Sequence, residues 1–265
     1  MLIRTWNVFH GRTVPPTRMR RPERMVRLAC EDEPAVVVLQ ELAAAWLGRL
    51  ADWSGYHAFG DVALRPRLPR RLGERLTDID PNLLRSAVEG QANAILLHRD
   101  LRGSDHTALV LNPRRFRERV AESLALGLRA RLAWAKERRV VQAVRVRLRD
   151  GRSTLVANLH ATSYGPDKRI ADAELLRAAT FADGLAEPGE PVVLAGDFNV
   201  TVVTSPVLRA LSGPEWGFSA AGPGLDHVLV RGLEVVRAEL RWPDVRRRHE
   251  GVLLSDHAPV ELEVR

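Results

Sequence analysis

Short aliphatic runs recur along the chain, separated by polar stretches and by segments with helical spacing. "LIRTWNV", "AVVVLQ", "ANAILL", "TALVL", "VVQAVRVRL", "STLVANLH", "PVVLAG", "LDHVLV", "LEVVRAEL" and "APVELEV" each read as a strand bounded by turn residues. Two segments read as helices. "PERMVRLACEDE" carries Pro22 in its first turn, and "PDKRIADAELLRAATFADGL" puts Ile170, Leu175, Leu176, Ala179 and Phe181 near one side. "VRLRDGRSTLV" reads as a hairpin around Asp150-Gly151, which pure βαβ winding would not contain. The pattern predicts an α+β chain of mixed sheets with flanking helices. Residues 65–82 read as an Arg/Pro-rich surface loop or short helix. Residues 114–139 read as a basic amphipathic helix or an irregular excursion. No repeat or linker divides the chain, so residues 1–265 are expected to form one domain.

Composition narrows the class. Hydrophobic residues make up 45% and charged residues 28%, ordinary for a globular protein, and no apolar run approaches the roughly 20 residues of a membrane helix. Neither a secretory signal nor an amphipathic membrane anchor is read, so a cytoplasmic monomer is the expectation. Cys30 is the sole cysteine, which excludes an internal disulfide and a multi-cysteine metal cluster. The net charge is +7, almost all of it from arginine, since the only lysines are Lys136 and Lys168. Arginine suits bidentate phosphate contacts; a GC-rich genome would also produce this bias.

The polar residues that punctuate the strand ends carry the candidate chemistry. They are Asn7 in "TWNV", Glu41 in "VVVLQE", His160 in "VANLH", Asp197 and Asn199 in "VVLAGDFN", Asp226 in "LDHVLV", and Asp256 and His257 in "SDHAPV". Each has a plainer alternative. Asp197 and Asn199 suit a turn, Glu41 suits the first turn of a helix over "LAAAWLGRL", and His160 suits a satisfied structural histidine.

Taken in order, "WNV", "LQE", "NAILL", "NLH", "GDFN", "LDHV" and "SDHAPV" resemble the endonuclease/exonuclease/phosphatase superfamily, over Asn7 to Val260. The resemblance implies a deoxyribonuclease I-like fold, a four-layer sandwich of two packed mixed β-sheets flanked by helices. It implies phosphoester hydrolysis assisted by Mg²⁺, with Mn²⁺ as a substitute, on oxygen ligands from Asn7, Glu41 and Asp256. Asp197 would orient and deprotonate the attacking water, with Asn199 fixing it or a phosphoryl oxygen. His257, partnered by Asp226, and His160 would contact the phosphoryl group. The chain departs from the abasic-site endonucleases at Phe9, where those carry a further carboxylate, and Tyr164 reads as a loop residue, not a catalytic tyrosine. Asn93 and Arg99 are expected to line the cleft.

Nucleic acid is the expected substrate. Its phosphates would meet three arginine clusters: Arg65, Arg67, Arg70, Arg71 and Arg75; Arg114, Arg115, Arg117 and Arg119; and Arg246, Arg247 and Arg248. The alternatives are an inositol phosphate, a phospholipid or another small phosphoester, and a catalytically inactive nucleic-acid-binding module.

Overall fold

The computed structural model describes residues 1–64, 90–148 and 150–265. Strands β1 (Leu2–Asn7), β2 (Thr13–Val14), β3 (Val36–Leu42), β4 (His57–Leu64), β5 (Gln91–Leu97), β6 (Arg102–Val110) and β7 (Val140–Arg147) form the first half. Strands β8 (Ser153–His160), β9 (Val192–Asp197), β10 (Asp226–Arg231), β11 (Val235–Arg241), β12 (Arg248–His249), β13 (Val252–Leu254) and β14 (Val260–Val264) form the second. They build one sheet of order β11-β14-β1-β3-β5-β4, a second of order β10-β9-β8-β7-β6, and a small sheet β12-β13-β2. Both large sheets are mixed: β1–β3 and β8–β9 are parallel, and their other pairings are antiparallel. The hairpin expected around Asp150-Gly151 is the β7–β8 pair, with Arg147 opposite Ser153.

Alternation along the strands explains the layering. On β3, Val36 and Val38 join the core between the sheets, while Val37 and Leu39 pack with Met25, Val26, Leu50 and Trp53 of the helices Pro22–Ala29 and Leu50–Ser54. On β9, Val193 and Ala195 point between the sheets, and Val192 and Leu194 meet Leu175, Ala178 and Ala179 of the helix Arg169–Leu185. Strands buried on both faces read as unbroken apolar runs. The result is helices, sheet, sheet and helices.

Three details depart from the sequence pattern. β4 went unread, because His57, Gly60 and Asp61 interrupt its apolar positions at the edge of the sheet. Glu41 lies in β3 and not in a helix, and a 3-10 segment follows at Ala44–Arg49. Residues 114–139 form two helices, Arg114–Ser123 and Leu128–Lys136, in place of one. The loop expected over 65–82 lies outside the described residues.

At one end of the inter-sheet layer the inward positions turn polar, with Val36, Val38 giving way to Gln40 and Val156 to Asn158. Gln40 Nε2 donates to Asn158 Oδ1 at 2.8 Å, and Asn158 Nδ2 donates to the Leu39 and Ala94 carbonyls at 3.0 and 2.9 Å. This bridge ties the two sheets together in a fully buried position. Asn158→Ala would take a hydrogen bond from the buried Leu39 and Ala94 carbonyls, at about 1–3 kcal/mol for each group left unpaired, while Gln40 Nε2 keeps its bond to Thr5 Oγ1 at 3.1 Å. A loss of roughly 3 kcal/mol or more in urea unfolding is expected; an unchanged midpoint would show the bridge to be energetically idle.

Candidate active site

Strand register brings the polar strand ends together. His160 lies directly opposite Asp197 across the parallel β8–β9 pair, and Asp226 lies opposite Asp197 across β9–β10. The close approach depends on Gly196, whose φ is +142°. A Cβ there would stand 1.9 Å from the Leu159 carbonyl oxygen, so no larger residue fits.

Asp197 serves two arrangements at once. Its Oδ1 accepts from the Asn199 backbone N–H at 3.0 Å, so the turn expected of "GDFN" is present, with Asn199 at φ +55°. Its Oδ2 accepts from Asn7 Nδ2 at 3.0 Å and stands 3.5 Å from His160 Nε2 and 3.9 Å from His257 Nε2. Burial, then the Asp226 charge, pushes the Asp197 carboxyl upward, against the His257 charge and the Asn7 bond. Asn199 is also buried, with Nδ2 donating to the Ala161 carbonyl and its own carbonyl accepting from Lys168 Nζ, both at 2.9 Å.

The two histidines are held in opposite states. His257 Nδ1 bonds Asp226 Oδ2 at 2.7 Å. Burial disfavours its charge, but that hydrogen bond and the charges of Asp226, Asp197 and Asp256 outweigh it and raise its pKa to about 10, so the imidazolium persists at neutral pH. His160 is neutral: burial first, then the charges of Arg139, His257 and His10, hold its pKa well below 6.5. Its Nδ1 lies 3.0 Å from Gln91 Nε2 and 2.9 Å from Arg139 Nη1, while Gln91 Oε1 accepts from the same Nη1 at 3.3 Å. Both groups present donors to Nδ1, which assigns the proton to Nε2, the nitrogen facing Asp197 and, at 3.7 Å, Glu41.

Arg139 and Gln91 escaped the sequence reading. Gln91 heads β5, two and four residues from the inward-facing Asn93 and Ile95. Arg139 immediately precedes β7, in a run of arginines that hid it. Each is buried, and parity with the apolar core positions of β5 was the signal available for Gln91.

The "SDH" turn is fixed from below. Ser255, at φ +66°, donates from Oγ to the Asn7 carbonyl at 2.6 Å, and the His257 carbonyl accepts from Trp6 Nε1 at 2.9 Å. Arg247 Nη1 donates to the Ser255 carbonyl at 2.6 Å and the Leu254 carbonyl at 3.2 Å, while Nη2 bonds Asp244 at 2.7 Å. Phe9, His10, Glu41, Asn199 and Ser255, five of the ten non-glycine residues with positive φ among the described residues, lie around these groups. Such backbone costs energy and is retained where the surroundings over-determine it.

Glu41 sits in a bulge of β3, where pairing with β5 shifts between Leu39 and Leu42, and its side chain remains 21% exposed. Burial, opposed by Asn7 and Arg139, raises its pKa, and the Asp256 charge adds to the rise. Four carboxylates, Glu41, Asp197, Asp226 and Asp256, thus load one rim with negative charge that His257 and Arg139 only partly offset. The oxygens of Asn7, Glu41 and Asp256, with no sulfur among them, would suit a hard divalent cation such as Mg²⁺ or Mn²⁺. Ligand atoms of Asp197, Asp226 and His257 also lie within 4.8 Å of one another, but there the Asp226–His257 hydrogen bond already pairs two of the three.

Several expected substrate contacts are corrected. Arg247 is 3% exposed and its donors are taken by carbonyls and Asp244, so it cannot meet a substrate phosphate. Arg246 pairs with Asp32 and stacks 3.6 Å from the Trp242 ring centroid; Arg248 alone of the three is exposed, donating to the Gly251 carbonyl. Asn93 is as buried as Asn7 and Asp197, on the same face of β5 as Gln91, with Nδ2 at 3.5 Å from the Val140 carbonyl and Oδ1 without a partner among the described residues. Arg99 lies beyond the other end of β5, beside Glu33. Tyr164 packs against the cluster formed by Ala121, Trp134 and Ile170, as a loop residue would. The cluster from Arg65 to Arg75 lies outside the described residues.

The same geometry recurs in known proteins at the level of fold. A UPF0294 protein of Vibrio cholerae serotype O1 is 31% identical over 133 residues, which is 46% of this chain and 43% of that protein, so the match spans less than half of the relative's length. The Bacteroides thetaiotaomicron mannosyl-6-phosphatase Bt3783 superposes with a TM-score of 0.65 at 14% identity, covering 100% of this chain and 99% of its own. D. rerio TDP2, complexed with single strand DNA product, does so with a TM-score of 0.64 at 14% identity, covering 100% and 98%. The strand-end residues lie within residues 5–257, which match the model of the Endonuclease/Exonuclease/phosphatase family, and the chain belongs to that family.

Proposed function

We propose that this chain hydrolyses phosphoesters with the help of a divalent cation. Members of its family include nucleases and phosphatases. One observation carries the assignment: an ionisable carboxylate, Asp197, faces the Nε2 atoms of a neutral and a charged histidine across 3.5 and 3.9 Å. A phosphoryl group entering that mouth would receive a proton-bearing Nε2 from His160 and another from His257, both aimed where charge accumulates on phosphoryl oxygens. Asp197, raised toward the range of a working base, accepts the proton of the attacking water as its oxygen bonds phosphorus; the bond from phosphorus to the leaving oxygen breaks, and that oxygen keeps the electron pair and takes a proton from solvent. Asn7, Glu41 and Asp256 would hold the cation, which supplies neutralisation of the phosphoryl charge.

Two substrate classes follow. Nucleic-acid phosphodiesters are supported by the positive surplus and by the use of this fold in TDP2, whose complex holds a single strand DNA product. Phosphoesters at a lipid surface are favoured by the exposed Leu128 and Leu132, set among cations. A hydrolysis panel with Mg²⁺ or Mn²⁺, covering duplex and single-stranded DNA, RNA, phospholipids, inositol phosphates and a chromogenic diester, tests the assignment. Inactivity across the whole panel would refute it.

The histidine pair makes a further prediction. Asp226→Asn removes the carboxylate that raises the His257 pKa, so the imidazolium is lost at lower pH. Turnover is expected to fall by roughly ten- to a hundredfold, the scale of a weakened acid–base group. The alkaline limb of the pH–rate profile should move to lower pH, and an unmoved limb would separate Asp226 from His257 function.

A further inference from the structure

The segment between β6 and β7 is unused by this chemistry. Its two helices, Arg114–Ser123 and Leu128–Lys136, and the turn between them bring Ala121, Leu126, Ala130 and Trp134 inward against Ile170, and Trp134 Nε1 anchors the insert on Glu174 at 2.6 Å. The opposite face is unusual. Leu128 and Leu132, one helical turn apart, are 72% and 63% exposed. Arg115, Arg119, Arg129, Lys136 and Arg138 are exposed, and none forms an ion pair among the described residues. Residues 114–138 hold eight Arg and Lys against three Glu, a surplus of five in a chain whose net charge is +7. The insert runs directly into Arg139, whose guanidinium touches His160.

We propose that this insert docks the chain on an anionic lipid bilayer, Leu128 and Leu132 entering the boundary between headgroups and acyl chains while the cations meet lipid phosphates. The chemistry selects among occupants. A second copy of the chain would bring the same positive surplus against itself. A nucleic acid would satisfy the cations and leave both leucines wet. An anionic bilayer satisfies both. Single exposed leucines are ordinary; a pair one turn apart, on a segment whose exposed cations form no ion pair among the described residues, suits a membrane interface. The first helix also walls an apolar groove of about 700 Å³, with Phe116, Val120, Leu124 and Leu176 in its lining, which extends apolar surface beside the insert. The surface arises from two short helices, so it shows only once their other faces are filled by the core. That the bilayer also carries the substrate rests on the hydrolase assignment; docking itself does not.

Co-sedimentation of the full chain with vesicles tests the docking directly. Binding is expected to vesicles containing phosphatidylserine, not to pure phosphatidylcholine, and to be released by high salt. Arg115→Gln, Arg119→Gln, Arg129→Gln and Lys136→Gln together should lower the partition coefficient at least about a hundredfold, from about fivefold per cation near the surface. Leu128→Ser with Leu132→Ser should lower it at least about tenfold through lost apolar insertion. The leucine variant should hydrolyse a soluble chromogenic diester like the wild type. If the wild type binds vesicles but is inactive across the whole hydrolysis panel, docking stands and the hydrolase assignment falls. Failure of the wild type to bind phosphatidylserine vesicles overturns the proposal. So does wild-type binding by the leucine variant, or duplex DNA binding that depends on the cations alone in a chain that ignores vesicles.

Discussion

Asp197→Asn is expected to lower turnover by at least about a hundredfold, the scale of losing a general base, with the fold intact. The carboxamide keeps an oxygen for the Asn199 N–H, so the turn that ends β9 persists. What it loses is the proton acceptor within reach of both histidines. The same substitution removes a buried carboxylate whose charge the folded chain disfavours. The melting temperature is therefore expected to hold or rise while activity falls, as happens when a strained functional group is relieved. The amide also faces the Asn7 Nδ2 donor, which limits that gain. Near-normal turnover in folded Asp197→Asn protein would remove Asp197 from the chemistry altogether.

Chelation is expected to abolish hydrolysis, and Mg²⁺ or Mn²⁺ to restore it. The physical basis is the crowding of carboxylates at one rim, where burial and mutual repulsion raise both Glu41 and Asp197. A cation bound there stabilises only the folded state, so either metal should also raise the melting temperature with concentration. Glu41→Gln relieves repulsion without metal, and should leave the metal-free melting temperature unchanged or higher. With metal it should lose most of the thermal rise and most of the activity. Full activity in excess chelator, or the same metal-dependent rise in the Glu41→Gln variant, would place the cation elsewhere.

Much of the fold was legible because burial on both faces writes itself as unbroken apolar runs. β3, β5 and β9 hold such runs in "VVVL", "AILL" and "VVLA", while β1, β7, β8, β10 and β14 show shorter apolar stretches or alternation with polar residues. β4, an edge strand, carries no such signature. The candidate site was legible where a polar residue ended an apolar run, as with Asn7, His160 and Asp197. It was illegible where the functional neighbour looked like its surroundings: Arg139 stands among other arginines, and Gln91 starts a strand as an ordinary polar residue. Arg246 and Arg247 erred the opposite way, since charge adjacent to "SDH" in sequence became a stack on Trp242 and a clamp beneath the turn.

Sequence alone determined most of the strands of the two large sheets, their order of polar endings and the family likeness, because apolar alternation and local turn chemistry are properties of neighbouring residues. Tertiary structure decided which of the two strand faces is shared between the sheets. Val36, Val38 and Gln40 share one parity, as do Val156, Asn158 and His160, and Val193, Ala195 and Asp197. A run buried on both sides gives no hint which parity points at the other sheet. Only pairing of β8 with β9, β9 with β10 and one sheet upon the other puts these polar ends in a single mouth. The charge states of His160 and His257 were decided there too, because burial and an ion partner act through space between residues far apart along the chain.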